Sequence, residues 1–563
     1  MSLFMQTLRD IQGKISRDDL IGKTVVYVPY DQLSDKIGTL SRMEASEVVI
    51  VILENSHKAQ RRRYHKQKLL YVLSNSRHFA VEQARRGVKV IYRMIHGSFG
   101  GGLQQVAEEY AIQKILCMKP AERELRQELQ GCVHSGLLEF TTHEGWLTTE
   151  EDLLVSSPTA PWNMGDFYKR LRDKHNILLE NKKPVGGKYS LDEDNRLAWN
   201  GEPVAPEVPR FTVDAITEEV VRIIEENFPQ SIGTIDAFSV PTTKEDARTL
   251  WKWAKENCLF YFGPFEDAMS TQSSSLFHTR ISPLINLHRL LPKEIIADVL
   301  ELDIPLNSKE GFVRQVLGWR EFMYRIHEYT DGLRNIPTKK GVQTYYATSS
   351  AISSGASIYV EDMSTVNALQ ATYPLPPAYW GTPSGFACLD HVVQQVLREG
   401  YTHHIPRLMV LANIANLLQV RPQEINEWFW VAFVDAYDWV VEPNVLGMGT
   451  FATGEVLSTK PYVAGASYIQ KMSNFCETCA FSPKKNCPLT PLYWQLLDKN
   501  QQTLASNFRM KMIMASVRKR SEDQKNLDKK ILDWCQHELQ RGATLQPQTM
   551  PTPSGSRQGG LFD

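Results

Sequence analysis

Between residues 24 and 142, short apolar runs alternate with longer amphipathic stretches. Thr24–Val28, Val48–Leu53, Val88–Tyr92, Lys114–Met118 and Leu138–Thr142 have the length and β-branched content of strands. Tyr64–Arg86, Gly102–Tyr110 and Ala121–Gln130 repeat their apolar residues at helical spacing. This alternation predicts a doubly wound parallel sheet, whose ligands sit beyond the carboxyl ends of the strands at a topological switch point. Tyr30 to Ser34 and Glu54 to Ser56, the polar segments after the first two strands, are candidate lining for such a site. Ordinary loop caps have the same chemistry. No G-x-G-x-x-G occurs, which disfavours a standard dinucleotide site there.

From about residue 236 the period changes. Thr243–Tyr261, Gly311–Tyr329, Leu389–Arg398, Ile405–Leu418 and Gln423–Val440 read as apolar helices, with residues 331–366 as a long polar loop between them. The fold class expected is α/β plus all-α. An N-terminal extension (1–21) leads to a doubly wound domain (22–142), and a Pro- and Gly-rich connector (143–235) leads to a helical domain (236–541). A low-complexity tail (542–563) is expected to be disordered.

A chain of 563 residues is too long for one core. Its 42% apolar and 23% charged content is ordinary for a globular protein. The absence of a long uncharged apolar run argues against a membrane span, and the charged first residues argue against a secretory signal. Eight cysteines are sparse, which fits a reducing cytoplasm. The net charge of −1 leaves only a local basic groove for nucleic acid. The basic run Lys58–Lys68 is either a phosphate contact or a solvated helix face. The segment KPVGGKYSLDEDNR (183–196) joins glycines to Lys188 and Tyr189, so its backbone could approach DNA or a substrate.

Candidate chemistry concentrates in the second half. Cys476, Cys479 and Cys487 form C-x2-C-x7-C-P, which suits zinc, an iron–sulfur cluster, or three unligated core cysteines. Any metal would need a fourth ligand from elsewhere, and Pro488 after the last cysteine points towards iron–sulfur. Ser273–Asn286 places hydroxyls and Arg280 before a Pro-started helix, a pattern that suits phosphate and also ordinary capping. Gln315 and Trp319, four apart, can face one cavity, as a stacking and hydrogen-bonding pair for a nucleobase or as plain core. Pro406 starts a helix, which puts His403 and His404 at its positive end as candidate proton donors. Glu427–Trp430 and Tyr437–Trp439 are dense in aromatics, as a core helix or an electron route would be.

Together SLFHTRISPLIN, QVLGWREF, ACLDHVV, YTHHIPRLMVLANIANLL, EWFWVAFVDAYDWVVEPNVLGM and CETC…NCPLTPLYW resemble the photolyase/cryptochrome superfamily. The likeness is to its bacterial iron–sulfur (6-4) photolyase branch, and DQLS, VILENSHK and HKQKLLYVLSNSRHFA share it. The resemblance covers roughly residues 22 to 500. It implies FAD in the helical domain, held by Ser273, Ser275, Thr279, Arg280, Ser282, Asn413 and Asp435. It also implies a 4Fe-4S cluster on Cys388, Cys476, Cys479 and Cys487, with Cys388 supplying the missing ligand. A 6,7-dimethyl-8-ribityllumazine antenna would lie near Asp31, Gln32 and Glu54. Trp380 and Trp428 match electron carriers, Gln315, Trp319 and Arg320 a lesion pocket, and His404, beside His403, the proton donor of (6-4) repair.

The activity implied is a light-driven lyase reversing (6-4) pyrimidine–pyrimidone photoproducts in UV-damaged DNA. The competing expectation is a cryptochrome-like photoreceptor with the same cofactors, and an iron–sulfur glycosylase or nuclease leaves the flavin-like segments unexplained. A monomer is expected, cytoplasmic in a bacterium and nucleoid-associated when bound to DNA. The terminal Gln558–Phe562 resembles the short peptide that docks repair proteins on the DNA sliding clamp.

Overall fold

The computed structural model describes residues 2–346, 364–505 and 507–552. In its N-terminal part β1 (Thr24–Tyr27), β2 (Val48–Asn55), β3 (Lys89–Ile95), β4 (Ile115–Met118) and β5 (Leu138–Thr141) form one parallel sheet in the order β3-β2-β1-β4-β5. In register, Thr24 lies opposite Val48 and Ile115 opposite Leu138. Val48, Ile50 and Ile52 pack with Phe4, Phe79 and Ala80 on one face, while Val49, Val51 and Leu53 pack with Phe99, Leu103 and Leu125 on the other. Coverage of both faces explains why β2 is continuously apolar rather than alternating. Each such side chain contributes about 1.5–3 kcal/mol of burial. The chain departs from β1 in both directions, so the switch point lies between β1 and β4.

The N-terminal extension carries a helix, Leu3–Gln12, whose first amides donate to the Glu219 carboxylate at 3.0 Å. A carboxylate there meets the positive end of the helix. The Gln12 side chain then pairs with both the N–H and the carbonyl of Val90 at 2.8 Å, covering part of the β3 edge.

Several expectations need correction. Residues 143–235 contain the helices Glu150–Ser156, Met164–His175 and Ala215–Asn227, and Phe167, Leu171, Val220 and Ile224 join the main core. Their Pro and Gly residues lie between helices, so composition averaged over the segment hides the order. The second half is helical as expected, with one addition: Asn335–Thr338 and Gly341–Thr344 form an antiparallel hairpin inside the expected loop, of which residues 347–363 lie outside the described residues. The start of the tail is packed: Leu545 is 1% exposed, its N–H donates to the Ser384 carbonyl at 2.9 Å, and Met550 packs against the core. Gln558–Phe562 lies outside the described residues.

Three cations of the basic run are paired with carboxylates, while Arg63 stays exposed. Lys58 pairs with Glu122 (3.0 Å) and Glu124 (3.3 Å), Arg61 with Glu128 (2.5 Å), and Arg62 with Glu124 (2.6 Å) and Glu427 (3.0 Å). The run is a seam between the α/β part and the helical part. Its continuation is the helix Lys66–Arg86, which Gly87 ends in the left-handed region at φ 98°.

Candidate functional site

The larger of two notable cavities lies in the helical part and encloses about 1020 Å³ up to its open mouth. Three π-helical turns border it: Arg314–Arg320, Pro406–Ala412 and Glu442–Gly449, which contribute Trp319, Arg407 and Asn444. A π turn widens the helix by one residue and re-aims side chains, which is why such turns gather at functional sites. Gln315 and Trp319 both face the cavity, as their spacing predicts, but on π rather than α backbone. The Gln315 amide donates to Glu266 Oε1 at 2.6 Å, and Glu266 Oε2 also accepts from Asn195 at 2.7 Å. The 183–196 segment is thereby tied to this wall rather than extended into solvent.

Residues of the 273–286 segment line the same cavity. Arg280 sits at φ 57°, a left-handed conformation uncommon for a side-chain-bearing residue. Its guanidinium donates to Ser275 Oγ (2.9 Å) and Glu399 (3.0 Å) and stacks on Tyr401 at 4.3 Å. Those contacts hold the strained backbone. Thr279, Arg280 and Ser282 line the cavity, whereas Ser273 does not: its hydroxyl accepts from the Leu276 amide at 2.9 Å and closes the local turn. Ser275 reaches the site only through Arg280. Asn413 lies apart, paired with both backbone groups of Ala464 at 3.0 Å.

Asp435 joins the walls. It accepts two bonds from Arg407 (2.9 and 3.0 Å) and one from the Ser282 hydroxyl (2.6 Å). Although burial opposes ionisation, the Arg407 charge and these bonds hold its carboxyl below the usual range. Arg320 stacks over Trp146 at 4.0 Å, and its Nε and Nη2 find no acceptor among the described residues. Burial pushes this guanidinium down to about 10, with Glu321 opposing.

His403 and His404 stand where Pro406 predicts, at the start of their helix, and both line the cavity. A third imidazole that sequence reasoning passed over, His278, stacks on His403 at 4.1 Å and meets His404 edge-on at 5.3 Å. Burial is the main force pushing His404 down to about 4 and His278 to about 3. Arg407, Asn286, Tyr401 and Asn444 also went unassigned, and the H-H-x-x-R spacing was the available signal for Arg407. Trp428 is fully buried, its indole N–H donating to the Tyr379 carbonyl at 2.8 Å, whereas Trp380 is 41% exposed. Tyr379, next to Trp380 in sequence, packs edge-on against Trp428 at 5.3 Å.

The second cavity, about 650 Å³, lies beyond the carboxyl ends of β1, β2 and β3 and is closed by Trp430 and Tyr437 from the helical part. Glu54 lines it, with both carboxylate oxygens bonded to Arg77 (2.8 and 2.9 Å) and one also to the Tyr92 hydroxyl (2.5 Å). Asp31 and Gln32 do not line it. The Gln32 amide donates to the Met118 carbonyl at 2.9 Å, and the Asp31 carboxylate finds no donor among the described residues. Lys58, Lys68 and Tyr30 line it instead. Lys68 Nζ donates to the carbonyls of Trp430 (2.8 Å) and Ala436 (2.5 Å), and burial lowers its pKa strongly. Sequence gave Lys68 only as part of a charge run.

Cys388, on the helix Ala387–Glu399, shares one neighbourhood with Cys476, Cys479 and Cys487, each of which raises its pKa further after burial. No three of these sulfurs lie within 4.8 Å of one another among the described residues.

An α/β domain with its own cavity, joined to a helical domain whose cavity gathers hydroxyls, arginines, a Trp and histidines, is the plan of the photolyases and cryptochromes. Residues 26–240 match the family model described as deoxyribodipyrimidine photo-lyase-related protein. Over 521 residues the chain is 30% identical to the (6-4) photolyase of Agrobacterium fabrum, spanning 89% of this chain and 96% of that protein. A solved structure of a bacterial class III photolyase from Agrobacterium tumefaciens matches with a TM-score of 0.51 at 13% identity, covering 93% of this chain and 94% of that one, a likeness of fold. The chain belongs to the photolyase/cryptochrome family. Membership implies FAD as cofactor and DNA as substrate. No helix among the described residues is long and apolar enough to cross a membrane.

Proposed function

We propose that this protein is a light-driven DNA lyase that reverses (6-4) pyrimidine–pyrimidone photoproducts. The observation that carries the reading is one cavity lined together by Thr279, Arg280, Ser282, Asp435, Gln315, Trp319, His403 and His404. The hydroxyls and arginines suit FAD, and the two unpartnered nitrogens of Arg320 offer donors to an anionic group in the same space. Reduced FAD, when bound and excited by light, supplies the electron.

The chain's own residues do the rest. Trp319 offers a face on which a base turned out of the duplex can stack, and Gln315 an edge for hydrogen bonding; turning it out costs a few kcal/mol, less at a distorted lesion. His403 and His278 are themselves buried behind His404. His404 holds the proton at an imidazole nitrogen. With a pKa near 4 it is neutral at pH 7, so an anion brought against it, such as a DNA phosphodiester, must raise its proton affinity before it donates. Trp428 and Trp380, linked through Tyr379, form an inside-to-surface series suited to reducing the flavin.

The four cysteines fit a 4Fe-4S cluster better than a single zinc ion, which would draw its thiolates to within about 4 Å of one another. The smaller cavity, with aromatic walls and Lys58, Lys68 and Glu54, suits a flat heteroaromatic antenna such as 6,7-dimethyl-8-ribityllumazine. Asp31 and Gln32 would then support it only from outside the lining. A monomer in the bacterial cytoplasm completes the reading. The Gln558–Phe562 sequence supports docking on a sliding clamp: the tail peptide should bind a clamp, and Leu561→Ala with Phe562→Ala should abolish it.

The test is repair by the purified, reduced protein of oligonucleotides carrying a (6-4) photoproduct or a cyclobutane dimer. Restoration of the (6-4) substrate under blue light only is expected. Failure on both lesions, with flavin present and photoreducible, would mean a photoreceptor. His404→Ala should lower repair by at least ~100-fold and leave flavin photoreduction intact.

A further inference from the structure

The three imidazoles on the cavity wall are arranged for more than holding a proton. One ring nitrogen from each of His278, His403 and His404 lies within 4.8 Å of the others. His278 Nε2 donates to the Glu266 carbonyl at 3.2 Å, the tautomer that leaves Nδ1 with a free lone pair. A backbone carbonyl behind the ring is the support that metal-ligating histidines ordinarily have. His403 is 4% exposed, yet its Nδ1 has no hydrogen-bond partner among the described residues. A buried nitrogen left unmatched beside two further imidazoles calls for a ligand. Nearby carboxylate does not compete, because both Glu266 oxygens are engaged by Gln315, Asn195 and Arg314.

We propose that His278, His403 and His404 form a binding site for a divalent transition-metal ion of the zinc class, and that an ion bound there blocks repair. Imidazole nitrogens favour zinc, copper, nickel and cobalt over magnesium or calcium. A tetrahedral ion needs its nitrogens roughly 3.3 Å apart, with bonds of about 2.0 Å, so the rings must close inward by about an ångström. His404 borders the open cavity, which supplies a path of entry and leaves the fourth position to water. An ion on His404 occupies the nitrogen that would carry the proton, so metal binding and proton delivery exclude each other. The blocking half rests on the (6-4) repair reading, whereas the binding half stands apart from it.

The experiment uses chelator-treated holoprotein, with flavin and iron content checked before and after. Equilibrium dialysis against Zn2+ should load one ion per wild-type chain without loss of iron. His278→Gln should lose that ion, with flavin absorbance and far-ultraviolet circular dichroism retained. His404→Gln, at the open side of the cluster, serves as a second variant should the first not fold. Zn2+ should slow wild-type repair at least tenfold, reversibly with chelator, and change the rate of His278→Gln less than twofold. Equal zinc loading of wild type and both variants overturns the site. Loading that depends on His278 and leaves repair undiminished overturns the blocking. If wild type repairs neither lesion, the repair reading fails, and dialysis alone decides the metal site.

Discussion

At the scale of single residues, Asp31 shows how burial sets a pH response. Burial pushes its carboxyl up to about 7, against the backbone N–H groups of Asp31 and Ala121 and the Lys58 charge, with Asp438 adding to the rise. The unfolded chain binds this proton only below about 4. The folded state therefore holds it more tightly, and the stability it contributes is full below about pH 4 and is lost as pH rises to 7. Asp31→Asn removes the titration and keeps the shape. Thermal unfolding of both proteins from pH 4 to 8 should show the variant gaining on wild type across that window, by up to about 4 kcal/mol at pH 8. A constant difference at every pH would remove the argument. Sequence put Asp31 at a polar strand end, and the family resemblance put it beside an antenna. Whether a carboxylate there faces a ligand or a closed core depends on the helical half that covers it, and local pattern carries no trace of that.

At the scale of elements, the sheet and most long helices were legible because one period dominates each. Val48–Leu53 is apolar at every position, and Pro406 fixes a helix start by its own geometry. The π turns were not legible: 3.6 periodicity treats Gln315 and Trp319 as ordinary i, i+4 neighbours, and one extra residue per turn changes which side chains accompany them. The hairpin at residues 335–344 was lost in a Gly- and Thr-rich segment that reads as a loop. The helix Lys66–Arg86 carries charged residues that look exposed by type, yet Arg77 is fully buried between Glu54 (2.8 Å) and Glu219 (3.3 Å). Arg77→Met leaves two buried carboxylates without their cation and should cost about 3–5 kcal/mol, read as a lowered denaturation midpoint. Adding Glu54→Gln should recover part of the loss. If Arg77→Met costs less than about 1 kcal/mol, the pair does not anchor this helix.

At the scale of the whole molecule, the helical half gathers four cysteines far apart in sequence. Cys388 is separated by 88 residues from Cys476, and Cys479 and Cys487 lie on the same loop as the latter. The packed tail completes the neighbourhood, because Leu545 seats against Ser384, four residues before Cys388. The C-x2-C-x7-C-P loop was visible in sequence, but Cys388 as its proposed fourth ligand came from family resemblance, since nothing local marks Cys388 as different from the buried Cys258 or Cys535. A cluster held this way would bind only the folded arrangement, so its binding free energy adds to folding of the whole half. Cys388→Ala should therefore lose iron, about four atoms per chain in wild type on the 4Fe-4S reading. It should also lower the apparent Tm of the flavin-binding half by far more than a one-residue cavity of about 1–3 kcal/mol explains. Cys258→Ala, a buried thiol remote from the loop, is the matched control and should keep its iron. Zinc in place of iron in anaerobically purified wild type, or full iron retention in Cys388→Ala, would mean that the four thiolates serve another centre and that the helical half is held by packing alone.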